Sequence, residues 1–176
     1  MTASKLIKPS TEYKDSYLEA LALYHKEGRY KGLHIATIRE EFDDFVEERC
    51  KRRSTLYRDY PDWVELVPDT ELWLVKNDEY LGSVKVRHRL NWHLEKWGGH
   101  LSLIVRPDKR LMGYGQKILK KSRVVLHALD IERALLTVAP DNEIAQHIVE
   151  KAGAKLEDEL AGTDKFPPQN LYWWTV

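Results

Sequence analysis

Several features are scarce in this 176-residue chain, and each absence excludes a class of protein. Cys50 is the one cysteine, which excludes an internal disulfide framework and a Cys-x-x-Cys metal cluster, so we expect no metal. No apolar run approaches the roughly 20 residues that cross a bilayer, and residues 1–10 lack the apolar centre of a signal peptide. We therefore expect a cytoplasmic protein with no membrane partner.

An excess of charge of either sign is also missing. The chain has 28 basic and 28 acidic residues, and this balance argues against general nucleic-acid binding. A hydrophobic content of 43% with 32% charged residues is ordinary for a globular protein. The length predicts one domain over residues 1–176, large enough for a substantial core.

The local exception is a basic strand–loop–helix segment. An apolar run at residues 101–105 precedes Pro107, and Gly113 and Gly115 stand where a lysine-rich amphipathic helix begins. Backbone N–H groups at a helix start have no intrahelical acceptor, so glycines there favour an anion site. Residues 106–123 contain one acidic residue, Asp108, and seven basic residues: Arg106, Lys109, Arg110, Lys117, Lys120, Lys121 and Arg123. The pattern predicts a site for a diphosphate, although a closely packed helix start with a solvated basic face is the plain alternative.

The glycine spacing separates the possible phosphate loops. It is not the Gly-x-x-x-x-Gly-Lys-Ser/Thr loop, and a dinucleotide fingerprint would need a third glycine where Ile118 stands. The remaining pattern, Arg110-x-x-Gly113-x-Gly115, resembles the Gln/Arg-x-x-Gly-x-Gly/Ala coenzyme A loop of the GNAT family of N-acetyltransferases.

A second block supports this resemblance. After an apolar run at residues 134–138, Asn142 heads a helix with one apolar stripe, and Gly153 ends it. The family places an asparagine-headed helix here, although Asn142 can equally be a plain helix cap. Residues 82–91 and 98–101 extend the resemblance to a bacterial subgroup of predicted acetyltransferases.

The resemblance implies a mixed α/β fold with a central, mostly antiparallel sheet and helices on both faces. It also implies acetyl-CoA as cosubstrate and an amine-bearing partner. The implied coenzyme contacts are Leu103, Ile104, Val105, Arg110, Leu111, Met112, Gly113, Tyr114, Gly115, Gln116 and Asn142. Leu103, Ile104 and Val105 take this role through their backbone, which in the family pairs with the pantetheine arm.

The sequence indicates the residues that would transfer protons less clearly than it indicates the coenzyme loop. Many members carry a tyrosine seven residues after the capping asparagine as the proton donor to the leaving thiolate, but Val149 stands there in this chain. His100 lies near the family's glutamate base position but one residue out of register, which places it on the other strand face. His88, on a predicted strand, and Tyr172, on the last strand, are the other catalytic candidates. Each has a structural alternative, and direct transfer can proceed without a dedicated base.

Other elements follow from periodicity. We predict a short strand at Leu6, a helix ended by Gly28, a helix over residues 37–57, and a hairpin around Asn77 that continues to residue 90. In this fold the region between the first two helices often borders the acceptor site, so His25, Tyr30 and His34 could contact substrate, but a surface turn is the preferred interpretation. The acidic face of the helix over residues 37–57 is interpreted as solvated rather than as an attractant for cationic amines.

The leading functional hypothesis is transfer of an acetyl group to the primary amine of a small molecule. A protein or aminoacyl-tRNA amine is a second possibility, and a non-catalytic acyl-CoA-binding module is a third. Trp92 and Trp97 leave open whether a homodimer surface or a substrate wall lies there.

Overall fold

The computed structural model describes residues 3–51 and 65–176. The strands of these residues are β1 (Lys5–Ile7), β2 (Asp69–Lys76), β3 (Glu79–Arg87), β4 (Leu101–Val105), β5 (Arg133–Val138), β6 (Lys155–Leu160) and β7 (Gln169–Thr175). The helices are α1 (Lys14–Lys26), α2 (Ile35–Glu40), α3 (Phe42–Cys50), α4 (Tyr114–Ala128) and α5 (Glu143–Lys151). None of these helices is long and apolar enough to cross a membrane.

The strands form two sheets that meet at one point. The first has the order β1-β2-β3-β4 and the second β5-β7-β6, with antiparallel pairing throughout. Within the described residues no ladder joins β4 to β5; instead the His100 N–H donates to the Leu135 carbonyl at 2.8 Å. Beyond this contact β4 pairs with β3 alone, so a gap separates the facing edges of β4 and β5.

Strand alternation divides the core between the two faces of the first sheet. Val84 and Val86 of β3 face the core that includes residues of α4, α5 and the second sheet. On the other face, Trp73 of β2 packs with α1–α3, and its ring stacks on Tyr17 at a centroid distance of 4.7 Å. Burial of such aromatic rings contributes strongly to the stability of each layer. The predicted mixed α/β architecture, with helices on both faces of the sheet, is confirmed.

Two predicted elements need correction. The helix expected over residues 37–57 is two helices, because the backbone leaves the helical conformation at Glu41, where ψ is 33°; residues 52–57 lie outside the described part. The strand expected to reach residue 90 ends at Arg87. There Asn91 bends the chain, since its side-chain oxygen accepts a hydrogen bond from the Leu94 N–H at 2.9 Å.

The second half follows the predicted order. Asn142 caps α5 by accepting a hydrogen bond from the Ala145 N–H at 3.1 Å, and Gly153 follows the helix with φ 96°, as predicted. The acidic residues Glu157, Asp158 and Glu159 lie in β6, which follows Gly153. Because β6 is an edge strand with an exposed surface, its charges remain in water.

Candidate active site

The loop between β4 and α4 presents unpaired backbone donors. A 3-10 turn over Pro107–Lys109 follows the strand, and Gly113, with φ 77° and ψ 8°, caps α4. The left-handed conformation at Gly113 suits a residue without a Cβ atom. In the described part of the chain, the N–H groups of Tyr114, Gly115 and Gln116 have no acceptor. The helix start is therefore an anion site in its geometry as well as its sequence.

The two glycines serve different purposes. A Cβ atom at Gly113 would meet nothing within 4 Å, so open space lies in front of the helix start. A Cβ atom at Gly115 would lie 2.8 Å from Cδ1 of Ile148, so this glycine lets α4 approach α5. The Gln116 side chain strengthens the same contact by donating to the Ile148 carbonyl at 2.7 Å. Gly113 thus faces a ligand space, whereas Gly115 and Gln116 hold the helices together.

The neighbouring side chains in the loop are either exposed or paired with acidic side chains. Leu111 and Met112 are 86% and 58% exposed, which is unusual for apolar side chains beside a charged helix start. Arg110 donates to both carboxylate oxygens of Glu27, at 2.7 and 2.8 Å, and its Nε donates to the Val105 carbonyl at 3.3 Å. Arg106 is buried and pairs with Asp108. Arg106 therefore shapes the loop, while Arg110 stays near its surface.

The backbone of β4 supplies further donors. The Arg106 N–H donates to the Leu81 carbonyl on β3 at 2.9 Å. Since amides alternate between the two sides of an antiparallel strand, the Ile104 amide also faces β3, and those of Leu103 and Val105 face the gap. The backbone N–H groups of Leu103 and Val105 therefore lie on the side of β4 that faces the gap.

A cavity of about 280 Å³ lies on the α1–α3 side of the first sheet. It reaches β4 at Ser102, Leu103 and Ile104. Its other lining residues are Tyr17, Tyr24, Arg29, Tyr30, Arg49, Glu71, Tyr80, Ser83, Lys85 and Arg87. The wall is thus made of tyrosine rings and charged side chains, next to the strand that borders the gap.

The cavity contains a buried ion pair. Arg49 Nη1 donates to Glu71 Oε2 at 3.0 Å, and Trp73 Nε1 donates to Glu71 Oε1 at 3.1 Å. Burial by itself would raise the pKa of Glu71, but Arg49 and Lys85 outweigh this effect and lower it. Burial would likewise lower the pKa of Arg49, but Glu71 and Tyr17 raise it overall. Both groups therefore stay ionised near neutral pH.

The tyrosine hydroxyls of the cavity stay protonated. Burial raises the pKa of Tyr17, Tyr24, Tyr30 and Tyr80. The Tyr24 side chain is 2% exposed, and a side-chain interaction with Tyr80 offsets part of the effect of burial on its pKa. The Tyr24 and Tyr80 side chains therefore lie together in the wall of the cavity.

His100 fixes the point at which the two sheets meet. Its Nδ1 accepts a hydrogen bond from the Leu135 N–H at 2.9 Å, which leaves the proton of the neutral ring on Nε2. Burial, followed by the nearby Arg87, lowers the pKa of His100 to about 4. The ring is therefore neutral at pH 7 and has a structural role; it is not among the residues that line the cavity.

The other predicted catalytic residues also lie away from the cavity lining. His88 Nε2 lies in a hydrogen bond 2.8 Å from Thr70 Oγ1, just beyond the end of β3. The Tyr172 hydroxyl lies 3.1 Å from Glu150 Oε1 and 3.2 Å from Gln146 Oε1, so it faces α5. Catalytic roles for His100, His88 and Tyr172 remain predictions.

The cavity residues on β3 have a signal in the sequence. On β3, Ser83, Lys85 and Arg87 alternate with Val84 and Val86. This alternation gives β3 one apolar face and one polar face. Because the resemblance also implies helices on both faces of the sheet, the polar face would line a space beneath helices. The contributions of Arg49 and Glu71 could not be read this way, since their pairing joins α3 to β2.

The described residues fit a coenzyme A molecule better than a metal ion. Unpaired amides and open space at Gly113 suit a diphosphate, and exposed Leu111 and Met112 offer apolar cover. In contrast, no group of three or more His, Cys, Asp or Glu side chains in residues 3–51 and 65–176 is placed to hold a metal ion.

Three similar solved structures share this fold. The ribosomal L7/L12 alpha-N-protein acetyltransferase RimL in complex with coenzyme A has a TM-score of 0.64 and 9% identity over 100% of this chain and 96% of that chain. A spermidine N-acetyltransferase SpeG chimera from Vibrio cholerae and hSSAT has a TM-score of 0.59 and 11% identity over 98% and 95% of the two chains. The aminoglycoside acetyltransferase AAC(6')-Ib in complex with coenzyme A has a TM-score of 0.59 and 16% identity over 98% and 95%. At these identities the similarity shows the fold alone.

Sequence comparison identifies the family. No curated protein sequence matches the chain. The family model described as Acetyltransferase (GNAT) family matches residues 35–154, which is more than half of the chain. The predictions of enzyme class and cosubstrate are thereby confirmed. The chain belongs to the GNAT family of acetyltransferases, acyl-CoA N-acyltransferases that use acetyl-CoA as cosubstrate.

Proposed function

We propose that this protein acetylates the primary amine of a small molecule bound in the cavity, by direct transfer from acetyl-CoA in a ternary complex. The observation that carries this proposal is the position of the cavity. It reaches β4 at Ser102, Leu103 and Ile104, and the same strand leads through the loop to the unpaired amides of α4. An acceptor in the cavity would therefore lie beside the strand that holds the cosubstrate.

The cosubstrate contacts follow from the unpaired groups. The amides at Tyr114, Gly115 and Gln116 would hold the diphosphate, and the gap-facing backbone of Leu103 and Val105 would hold the pantetheine arm. Arg110, Leu111, Met112 and Gly113 would line the diphosphate space. Ile104 would contribute its side chain to the acceptor cavity rather than its amide, and Asn142 would act chiefly as the cap of α5. When bound, acetyl-CoA supplies the thioester that is attacked.

The cavity lining holds groups that could take part in proton transfer. An acceptor amine bound beside Arg29 would lie near a like charge, which disfavours its protonated form, so it would lose its proton to water more readily than in bulk solution. The protonated hydroxyls of Tyr24 and Tyr80 line the same cavity and are candidate proton donors to the leaving thiolate.

The test is release of free thiol from acetyl-CoA in the presence of small primary amines, peptides with a free N-terminus or lysine, and aminoacyl-tRNA. We expect turnover with small amines and a melting temperature raised by acetyl-CoA alone. Acetylation of only the macromolecules would contradict the small acceptor. Stabilisation by acetyl-CoA without thiol release from any acceptor would contradict catalysis and favour a binding module.

A cavity-filling variant tests the location of the acceptor. Ser83→Phe places a ring at the floor of the cavity, whereas Thr37→Phe places one on the exposed surface of α2. We expect Ser83→Phe to bind acetyl-CoA nearly normally but to lose most amine acetylation, and Thr37→Phe to behave as wild type. Equal turnover in both variants would show that the amine binds elsewhere.

A further inference from the structure

The described lining of the cavity is rich in hydroxyl groups. Six of its side chains carry one, whereas Leu103 and Ile104 are its only aliphatic members. The hydroxyls belong to Tyr17, Tyr24, Tyr30, Tyr80, Ser83 and Ser102. Because burial keeps the four phenols protonated, each of the six groups can both donate and accept a hydrogen bond. The described wall therefore offers neutral hydrogen-bonding groups to a ligand.

The charged side chains that the sheet and α3 contribute to the cavity already have partners. Arg49 and Glu71 are 3.0 Å apart, and Lys85 interacts electrostatically with the same carboxylate. Arg87 Nη1 donates to two backbone carbonyls of the loop before β4, at 2.8 and 3.0 Å. A charged group on a ligand would compete with these interactions, and breaking a buried pair is costly. Recognition of the ligand therefore falls to the neutral hydroxyls.

Three of the six hydroxyls interact with one another. The Tyr24 side chain on α1 interacts with that of Tyr80 on β3, and Tyr80 interacts in turn with Ser83 on the same strand. These interactions use part of the hydrogen-bonding capacity of the three groups within the wall itself. The groups that most need a partner are therefore the other three.

The remaining hydroxyls make no hydrogen bond with any residue in the ranges 3–51 and 65–176. They belong to Tyr17 on α1, Tyr30 on the loop that follows it, and Ser102 on β4. Tyr17 is only 7% exposed, and a buried hydroxyl without a partner is unfavourable unless a ligand supplies one. Tyr30 and Ser102 are exposed, so an incoming ligand can reach them directly.

We propose that the acceptor carries several hydroxyl groups in addition to its primary amine, as an amino alcohol or an amino sugar does. Its hydroxyls would hydrogen-bond to Tyr17, Tyr30 and Ser102. Because these residues lie on three separate elements, a ligand with several hydroxyls can meet all of them, whereas an alkylamine offers only its nitrogen.

The size of the cavity limits the acceptor further. About 280 Å³ lies at the lower end of the roughly 300–1,000 Å³ of ligand sites, so the acceptor would be a small molecule with at most one sugar ring. This inference rests on the proposed function, because it specifies the substrate of the same site.

The experiment compares amines in pairs of similar shape that differ in their hydroxyls. Thiol release from acetyl-CoA is measured with serinol against isopropylamine, and with glucosamine against cyclohexylamine. Hydroxyls lower the pKa of a neighbouring amine, so kcat/KM is expressed per unprotonated amine. We expect at least one hydroxylated amine to exceed its alkyl counterpart by about tenfold or more, because the counterpart leaves the hydroxyls of the wall unpaired.

Variants that remove single hydroxyls assign the preference to the cavity. Tyr17→Phe and Tyr30→Phe should each lower kcat/KM for the hydroxylated amine about tenfold, and for its alkyl counterpart by no more than about twofold. The matched control is Tyr13→Phe, which removes the same group from a residue outside the described cavity lining. Because Tyr30 is exposed, its variant should fold normally even if that of Tyr17 does not.

Thermal denaturation of Tyr17→Phe separates ligand binding from a structural role. A hydroxyl without a partner in the protein contributes nothing to the fold, so its removal should leave the melting temperature unchanged or raise it. A lower melting temperature would mean that the protein itself satisfies this hydroxyl, which contradicts its assignment to the ligand.

Two kinetic outcomes would overturn the inference. One is a kcat/KM for the alkylamines that equals or exceeds that of the hydroxylated amines, and the other is an equal loss for both members of a pair in Tyr17→Phe and Tyr30→Phe. If no amine is acetylated, the proposed function fails, but binding still decides the inference about the cavity. In that case a melting temperature raised by serinol or glucosamine, with the shift lost in Tyr30→Phe, would support the hydroxyl site, and no shift would refute it.

Discussion

Arg110 and Glu27 form a bidentate ion pair that links the loop before α4 to the end of α1, with Nη–Oε distances of 2.7 and 2.8 Å. The hydrogen bonds from Arg110 lower the pKa of Glu27, so its carboxylate is ionised at neutral pH. An arginine fork suits a carboxylate and a diphosphate equally well. If the loop binds the diphosphate as proposed, Glu27 competes with it for Arg110.

This competition predicts the effect of Glu27→Gln. We expect the variant to bind acetyl-CoA about two- to fivefold more tightly at low ionic strength, because Arg110 is released and a negative charge is removed near the diphosphate. The measurement is calorimetric titration with acetyl-CoA. Glu40→Gln, which removes an exposed carboxylate from α2, is the control and should keep wild-type affinity. Weaker binding by Glu27→Gln would mean that the pair positions Arg110 for the ligand instead.

A charge at Gly113 should abolish cosubstrate binding. Gly113→Asp places a carboxylate in the open space before α4, where we propose that the diphosphate binds, and we expect a loss of acetyl-CoA affinity of about a hundredfold or more. Gly113→Asn has nearly the same shape and also tolerates a positive φ, so it isolates the charge. It should lose about tenfold or less by the same titration. Wild-type affinity in a folded Gly113→Asp would refute the loop assignment.

The buried pair of Arg49 and Glu71 predicts a non-additive stability change. The two side chains are 10% and 7% exposed, so Arg49→Met leaves the Glu71 carboxylate buried without its main partner. We expect a loss of about 3 kcal/mol in the free energy of unfolding at pH 7. In Arg49→Met with Glu71→Gln, the amide oxygen can still accept from Trp73, so at least half of that loss should be recovered.

Denaturant titrations of the single and double variants measure this coupling. The pKa of Glu71 is lower in the folded protein than its ordinary value of 4.5, so the carboxylate stabilises the fold above that pH and less as the pH falls below it. The difference between wild type and Arg49→Met should accordingly shrink in acid. Additive losses that do not depend on pH would contradict an electrostatic origin.

The lowered pKa of His100 predicts that the protein loses folding stability in mild acid. Its pKa is about 4 in the fold against an ordinary value of 6.5, so the unfolded chain binds the proton first as the pH falls. The contribution of the neutral ring is complete above pH 6.5 and should decline by about 2 kcal/mol between pH 6.5 and 4, after allowance for solvent screening.

The check is the free energy of unfolding as a function of pH. His100→Gln keeps an acceptor for the Leu135 N–H but does not titrate, so this part of the decline should disappear. His147→Gln, at an exposed position of α5, should retain the wild-type profile.

A separate prediction concerns catalysis by His100. His100→Ala should lower acetyl transfer while keeping cosubstrate affinity, which thiol release and calorimetric titration with acetyl-CoA measure. Unchanged transfer would remove His100 from the catalytic candidates.

Local chemistry explains why much of the framework could be predicted. Asn142 and Gly153 mark the two ends of α5, and Gly113 marks the start of α4, because helix ends require caps and particular backbone conformations. The β2–β3 hairpin follows from two apolar runs around Asn77, which adopts a positive φ of 52°. Such signals act over a few residues, so a single sequence is enough to find them.

The cavity proposed for the acceptor could not be predicted in the same way. Tyr30 and Arg49 looked like residues of a surface turn and of an amphipathic helix, yet both line the cavity. Arg49 meets Glu71 across 22 positions of sequence, and neither residue alone shows that the other is near. The break at Glu41 also follows from packing, since Ile38 on α2 and Phe42 on α3 are both buried in the same core.

By itself, the sequence indicated the family, the cosubstrate and the loop that we propose to hold the diphosphate, because that loop is a run of backbone amides within one short segment. The tertiary structure decided which side chains surround the cavity that we propose for the acceptor, because the cavity draws on α1, α3, β2, β3 and β4 at once. It also assigned His100 to the junction of the two sheets, through the hydrogen bond from Leu135. Long-range packing brings such groups together, and no local pattern of residues specifies it.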